Sequence, residues 1–188
     1  MKRLYSILTV IVALFVFASL AVAKPPFWND QVNKPGRFKK LGQFSNAAVY
    51  GKETGLVWEQ LAGDTDGDTD VDDNDRKTWF NALSHCYQRT VGGRKGWRLP
   101  TIEELASLVV DTSVAGNPRL PSGHPFSNVQ LSRYWSATTD ANDTSLAWTV
   151  FFNDGVVGTF VKTDDRFVWC VRGGQGIDGA GQGAGGTL

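Results

Sequence analysis

Two cysteines constrain the fold of this 188-residue chain more than any other feature. Cys86 and Cys170 lie 84 positions apart, and a single pair allows only one intramolecular disulfide. In an exported protein such a pair is usually oxidised. The alternative is a nucleophilic Cys86 beside His85, although adjacent residues on a helix point to different faces. We therefore expect a disulfide that ties a helix to the last strand.

The N-terminus predicts export. Residues 1–23 read as a signal peptide, with a basic start, an apolar run over residues 7–20 and a small-x-small cleavage site at residues 21–23. The apolar run is shorter than the roughly 20 residues of a spanning helix, which favours cleavage over an uncleaved anchor. The sequence thus predicts a periplasmic or extracellular protein that begins at Lys24 and keeps no membrane span.

Charge is balanced overall and segregated locally. The chain has 19 basic and 19 acidic residues and is 41% hydrophobic and 12% aromatic, which excludes a disordered chain, a collagen-like rod and a basic nucleic-acid-binding arm. Many of the acids lie within residues 64–75, so the rest of the exported chain carries a basic excess. No nucleic acid partner is expected.

Hydrophobic patterning predicts an α+β domain. Apolar runs at residues 47–50 and 56–59 flank a turn cluster and predict a β-hairpin. A first helix is predicted from about Lys77 to Arg89, and a second one opens on a capping box formed by Thr101 and Glu104. Their apolar stripes consist of Trp79, Ala82, Leu83, Cys86 and Tyr87 in the first helix and of Leu105, Leu108 and Val109 in the second.

The last third predicts a long ordered loop followed by a β-meander. The loop covers residues 111–133, with Leu120, Phe126 and Val129 as apolar anchors. Strands are predicted at residues 134–137, 146–152, 156–161 and 167–171. Residues 24–45 are expected to form an exposed lead-in segment, and residues 175–188 a flexible Gly-rich tail.

An ordered set of motifs carries a family resemblance. The motifs are Thr54–Trp58, Trp79, Cys86, Gly96–Thr101, Glu104-Leu105, Tyr134–Thr138, Ala147–Phe152 and Trp169–Gly173. Together they resemble the Lcl C-terminal domain family, a bacterial exported module named after a collagen-like adhesin, over residues 46–174. The resemblance implies a C-type lectin-like fold and, in the adhesin, binding of sulfated polysaccharides.

Parts of that family picture have no counterpart in this chain. It lacks the Glu-Pro-Asn or Gln-Pro-Asp tripeptide of calcium-dependent lectin sites and the collagen repeats that would trimerise the adhesin. The resemblance extends distantly to formylglycine-generating enzymes, whose chemistry needs cysteines free of structural duty. An enzyme is therefore the least favoured function, and the oligomeric state stays open.

Residues 64–75 resemble a twelve-residue calcium loop. Asp64, Asp66 and Asp68 take positions 1, 3 and 5, Asp70 offers its backbone carbonyl at position 7, and Asp72 and Asp75 take positions 9 and 12. Val71 takes position 8, where such loops turn an apolar side chain inward, and Thr69 replaces the usual glycine of position 6. The alternative is a solvated acidic loop, but carboxylates this dense repel one another without a cation. The sequence predicts a structural calcium site of modest affinity.

Basic and aromatic residues suggest a ligand surface. Arg94, Lys95 and Arg98, together with the basic cluster of residues 34–40, would attract a sulfated or otherwise anionic polysaccharide if they converged. The alternative to a ligand surface is that these are ordinary surface charges and that Arg98 forms an ion pair with an acid. Two roles stay open for four aromatic residues, a stacking platform for sugars or part of the hydrophobic core: Tyr134, Trp135, Trp148 and Trp169. The predicted function is an exported module that binds an anionic polysaccharide or a surface protein; the alternative is a structural, accessory role.

Overall fold

The computed structural model describes residues 36–110 and 117–174. The predicted signal peptide, most of the lead-in segment, part of the long loop and the Gly-rich tail lie outside the described residues. Within them the fold is α+β, as the sequence predicts. The strands are β1 (Phe38–Lys40), β2 (Ala48–Gly51), β3 (Val57–Glu59), β4 (Trp97–Arg98), β5 (Arg133–Thr139), β6 (Leu146–Phe151), β7 (Val157–Val161) and β8 (Val171–Arg172). The helices are α1 (Trp79–Gln88) and α2 (Ile102–Ala106), and 3-10 turns occupy Gly42–Phe44 and Asp73–Asp75.

The strands form two antiparallel sheets. The larger has the order β1-β2-β3-β8-β4 and contains the predicted hairpin, β2 and β3. The smaller is the meander β5-β6-β7. The last predicted strand, residues 167–171, is shorter than expected and leaves the meander, because only Val171–Arg172 pairs, between β3 and β4. The run before it crosses from one sheet to the other, with Phe167 bridged to Tyr134 of β5.

The start of the described chain differs from an exposed lead-in. Phe38–Lys40 forms an edge strand on β2, and Arg37, Leu41 and Phe44 are buried. The segment is polar in composition, but its few apolar side chains, Phe38, Leu41 and Phe44, pack against the core. Residues 36–45 therefore belong to the folded domain.

Apolar side chains cover both faces of the larger sheet. One face packs Val49, Trp58 and Val171 with α2 residue Leu105. The other packs Ala48 and Trp97 beneath α1, where Cys86 and Cys170 form the predicted disulfide. Tyr87, predicted on the buried stripe of α1, is instead 82% exposed. Leu83 and Cys86 of the same stripe contact the core, but the core does not extend to Tyr87.

Two local features fix the ends of the helices. The capping box of α2 is present as predicted: the Thr101 hydroxyl accepts from the Glu104 N–H, and Glu104 Oε2 accepts from the Thr101 N–H at 2.9 Å. After α1 the chain turns at Gly92, which has a φ of +55°. A Cβ on Gly92 would lie 2.5 Å from the Cα of Phe44, so only glycine allows this approach.

Candidate functional site

The acidic loop brings three of its six predicted ligands together. Carboxylate oxygens of Asp64, Asp66 and Asp68 all lie within 4.8 Å of one another. The alternating spacing turns these side chains towards one centre, as positions 1, 3 and 5 of a calcium loop require. Asp64 is buried, whereas Asp66 and Asp68 are open to solvent. The group can offer hard oxygen ligands to a cation that arrives from the outside.

Asp75 and Asp72 organise the loop backbone. Asp75 is 1% exposed; its Oδ1 accepts from the N–H of Thr65 at 2.6 Å and its Oδ2 from the N–H of Asp72 at 3.0 Å. Burial alone would raise the pKa of Asp75, but the hydrogen bonds from Thr65, Asp72 and Asp66 outweigh it and lower the pKa. The Asp72 side chain caps the 3-10 turn of Asp73–Asp75. Neither carboxylate joins the group of three.

The loop also shows the two backbone features predicted for it. Thr69, in the place of the usual glycine, has a φ of +72°, so the sharp turn forms with a residue that strains it. Val71 is 6% exposed and packs into the core, as the apolar residue of position 8 should. The predicted ligand of Asp70 is its backbone carbonyl, and its side chain accepts from the N–H of Val71 at 2.8 Å.

The carboxylates of the loop repel one another. The N–H of Asp70 lowers the pKa of Asp68, but partial desolvation and the charges of Asp66, Asp70 and Asp75 together raise it above its ordinary value. A divalent cation at this centre would relieve that repulsion. The donor set therefore fits calcium, with Asp64, Asp66 and Asp68 as the residues that would hold it.

A buried ion pair, Glu59–Arg89, connects the acidic loop to Cys170 of the disulfide. Glu59 is 3% exposed; its Oε1 lies 2.6 Å from Arg89 Nε, and its Oε2 accepts from the Cys170 N–H at 3.0 Å. Arg89 Nη2 donates to the carbonyl of Asp64 at 2.8 Å. Burial raises the pKa of Glu59, and Arg89 opposes that rise. Glu59 and Arg89 line an open cleft of about 340 Å³, together with residues that include Ala47 and Gly92. No sequence pattern predicts this pair, because its members are 30 positions apart.

A row of side chains crosses the α1 face of the larger sheet. Register places Lys39 beside Tyr50, Tyr50 beside Val57, and Arg172 between Val57 and Trp97. We call these five residues the basic row, because its two charged members are both cations. Lys39 and Arg172 are separated by three strand spacings, about 14 Å. Tyr50 and Val57 are half-buried between them.

Arg172 is a further cation next to Lys95 of the predicted basic surface. Its Nε donates to the carbonyl of Lys95 at 2.9 Å, and among the described residues its two terminal nitrogens have no hydrogen-bond partner. Arg94 stacks on the ring of Phe44, with Cζ 4.9 Å from the centroid. Arg94 and Lys95 thus adjoin the basic row. Arg172 was missed by sequence reasoning, because its position depends on the pairing of β8.

Arg98 does not share that surface. It alternates with Trp97 on β4 and makes two hydrogen bonds to the carboxylate of Glu104, at 2.6 and 2.7 Å. Arg98 is therefore paired with an acid, the second of the two expectations for it, and lies on the face of the sheet opposite the basic row.

The four aromatic candidates divide into core and surface. Tyr134, Trp135 and Trp169 are fully buried, so they form core. Trp148 is half-buried and lies opposite Thr159 of β7. A platform of all four side chains is thereby ruled out.

Comparison with known proteins identifies the family. A family model described as the Lcl C-terminal domain matches residues 47–172, about two thirds of the chain. The chain belongs to the Lcl C-terminal domain family. No curated protein matches the sequence.

The Lcl C-terminal domain match spans most of the residues of the candidate site, but Lys39 of the basic row lies before it. The match includes the acidic loop, both cysteines of the disulfide, the Glu59–Arg89 pair and Arg172. None of the helices in residues 36–110 and 117–174 is long and apolar enough to cross a bilayer. The family and the disulfide are both consistent with an exported protein.

Proposed function

We propose that this Lcl C-terminal domain is an exported module that binds an anionic polysaccharide through the basic row. The observation that carries the proposal is the register that places Lys39 and Arg172 on one sheet face, with Arg94 and Lys95 beside them. The terminal nitrogens of Arg172, which have no hydrogen-bond partner within residues 36–110 and 117–174, suit a planar, bidentate contact with a sulfate or carboxylate. We further assign the α+β fold to the C-type lectin-like class.

The half-buried Tyr50 gives the basic row an aromatic surface between its two cations. A sugar ring that lies on Tyr50 would bring its anionic substituents towards Lys39 on one side and Arg172 on the other. The binding energy would come mostly from surface charge, so salt should weaken it strongly. A polyanion is favoured over a neutral sugar for that reason.

Calcium has a structural role in this proposal. Asp64, Asp66 and Asp68 would hold the ion, and Arg89 connects Asp64 to the buried Glu59. Along β3 the ion pair lies between the acidic loop and Val57 of the basic row. Calcium would therefore order the loop without touching the polysaccharide.

Retention on immobilised heparin, a sulfated polysaccharide, tests the proposal. We expect the wild-type protein to elute well above physiological salt and Arg172→Ala and Lys39→Ala to elute at clearly lower salt. Lys77→Ala is the matched control, since Lys77 binds the Asn74 carbonyl beside the acidic loop and lies off the basic row. Flow-through of the wild-type protein, or equal losses in all three variants, would contradict the proposal and favour a structural role.

A further inference from the structure

Strand β7 is an open edge of the smaller sheet. The sheet order is β5-β6-β7, and the other edge, β5, is bridged to Phe167 through Tyr134 and the Trp135 N–H. Within residues 36–110 and 117–174 no segment pairs with the outer side of β7. An edge of this kind is a template for another strand.

The register of β6 and β7 shows which backbone groups face outward. Hydrogen bonds from Lys162 N to Ser145 O, at 3.0 Å, and from Phe151 N to Val156 O, at 2.9 Å, bracket the strand. Because hydrogen-bonded and non-bonded pairs alternate in an antiparallel ladder, Val157, Thr159 and Val161 direct their N–H and C=O groups to the free edge. The Val161 carbonyl also accepts from the Asp164 N–H.

Nothing in the sequence of β7 protects this edge. Residues 156–161 contain no charged residue and no proline, and β7 pairs with β6 without a register shift. Val156, Val157 and Val161 are 41% to 50% exposed. The edge strand β1, in contrast, carries two exposed lysines, Lys39 and Lys40, the device by which proteins block edge pairing.

We propose that β7 pairs with β7 of a second copy of this chain, antiparallel, about a two-fold axis at Thr159. Thr159 would exchange both backbone hydrogen bonds with its counterpart, and Val157 would lie opposite Val161 of the second copy. This register sets apolar side chains against apolar ones. A shift of two residues would set Val157 against the polar Thr163, or Val161 against Gly155, which has no side chain. The two smaller sheets become one continuous sheet across the dimer.

Charge at the ends of β7 gives the dimer a distinctive salt dependence. In the proposed register Asp154 lies opposite Asp164 of the second copy, and Asp164, which pairs with Arg166 at 2.9 Å, keeps 44% of its side chain exposed. Added salt should therefore strengthen dimerisation by screening these carboxylates. It should weaken polysaccharide binding, so the two proposals fail separately.

Sedimentation velocity over a range of protein concentrations, at low and high salt, tests the dimer. We expect a reversible dimer in the wild-type protein. After Thr159→Lys the dissociation constant of the dimer should be at least about tenfold higher, because the substitution sets two like charges opposite each other. Thr163→Lys is the matched control, because Thr163 is exposed and follows the strand. A wild-type protein that stays monomeric at the highest concentration, or equal effects of the two variants, would overturn the proposal.

A cross-linking experiment tests the register. Thr159→Cys should yield a disulfide-linked dimer under mild oxidation, because directly opposed residues of a hydrogen-bonded pair have Cα atoms about 5.5 Å apart. Thr163→Cys should yield little. Equal cross-linking of both variants, or none in Thr159→Cys, would overturn pairing about Thr159, and circular dichroism checks that each variant is folded.

Discussion

The side chain of Arg89 forms an ion pair with the buried carboxylate of Glu59, and the stability of the protein depends on this pair. Arg89→Ala would leave a fully buried carboxylate without its ion pair, and we expect a loss of about 3 kcal/mol in the free energy of unfolding at pH 7. The pKa of Glu59 is raised in the folded state, so ionising it costs native stability as the pH rises through that pKa. The loss should therefore be smaller at pH 5 than at pH 7.

Urea unfolding at the two pH values measures this effect. Glu59→Gln in the Arg89→Ala background is the matched control, because a neutral side chain removes the buried charge and can still accept from the Cys170 N–H. It should recover part of the stability at pH 7. A loss in Arg89→Ala that is the same at both pH values would show that the buried charge is not its cause.

His85 adds an opposite dependence on pH. Burial, followed by the charges of Arg89 and Lys77, lowers the pKa of His85 from 6.5 to about 4. Between these values the unfolded chain binds the proton more readily, so the protein loses stability as the pH falls from 6.5 towards 4. We expect His85→Gln to flatten that loss in urea unfolding between pH 7 and pH 5. An unchanged slope in the variant would contradict the assignment.

The acidic loop is the element whose stability should depend on calcium. Calcium should raise the melting temperature of the wild-type protein, and Asp66→Asn should abolish most of that rise because it removes one of the three convergent carboxylates. Asp73→Asn is the matched control, since Asp73 lies outside the group and pairs with Arg76 at 2.9 Å. Thermal unfolding with calcium and with chelator measures both.

In the calcium-free protein, removing a carboxylate from the acidic loop should have the opposite effect on stability. Asp68→Asn should leave the chelated protein as stable or more stable, because partial desolvation and the neighbouring carboxylates outweigh the hydrogen bond from Asp70 and raise the pKa of Asp68, so that its charge is unfavourable there. The same substitution should weaken the calcium effect. A wild-type melting temperature that does not respond to calcium would contradict the calcium proposal.

Elements set by local contacts could be predicted from the sequence, and elements set by distant contacts could not. The capping box of α2 and the β2–β3 hairpin need only neighbouring residues, and both are confirmed. The place of β8 depends on contacts with β3 such as the bond from Cys170 N to Glu59, 111 positions away. The candidate site follows the same division: Asp64, Asp66 and Asp68 converge through local spacing, whereas Arg172 joins Lys39 only through the sheet order.

At the scale of the whole molecule, the Cys86–Cys170 disulfide holds α1 against the larger sheet. Both residues are fully buried, and the bridge closes a separation of 84 positions. In the chain-entropy model a loop of this length constrains the unfolded chain by about 4 kcal/mol. We expect the double variant Cys86→Ala and Cys170→Ala to fold to the same structure with its free energy of unfolding lowered by roughly that amount.

Burial of the disulfide also determines when it can be reduced. A thiol reagent cannot reach fully buried sulfurs in the native protein, so reduction requires α1 to move away from the sheet. Reduction by dithiothreitol should therefore be slow in buffer and accelerate as urea approaches the unfolding midpoint, which thiol counting over time would show. Rapid reduction in buffer, with the circular dichroism spectrum unchanged, would mean that α1 opens without global unfolding and that the disulfide is not what holds it to the sheet.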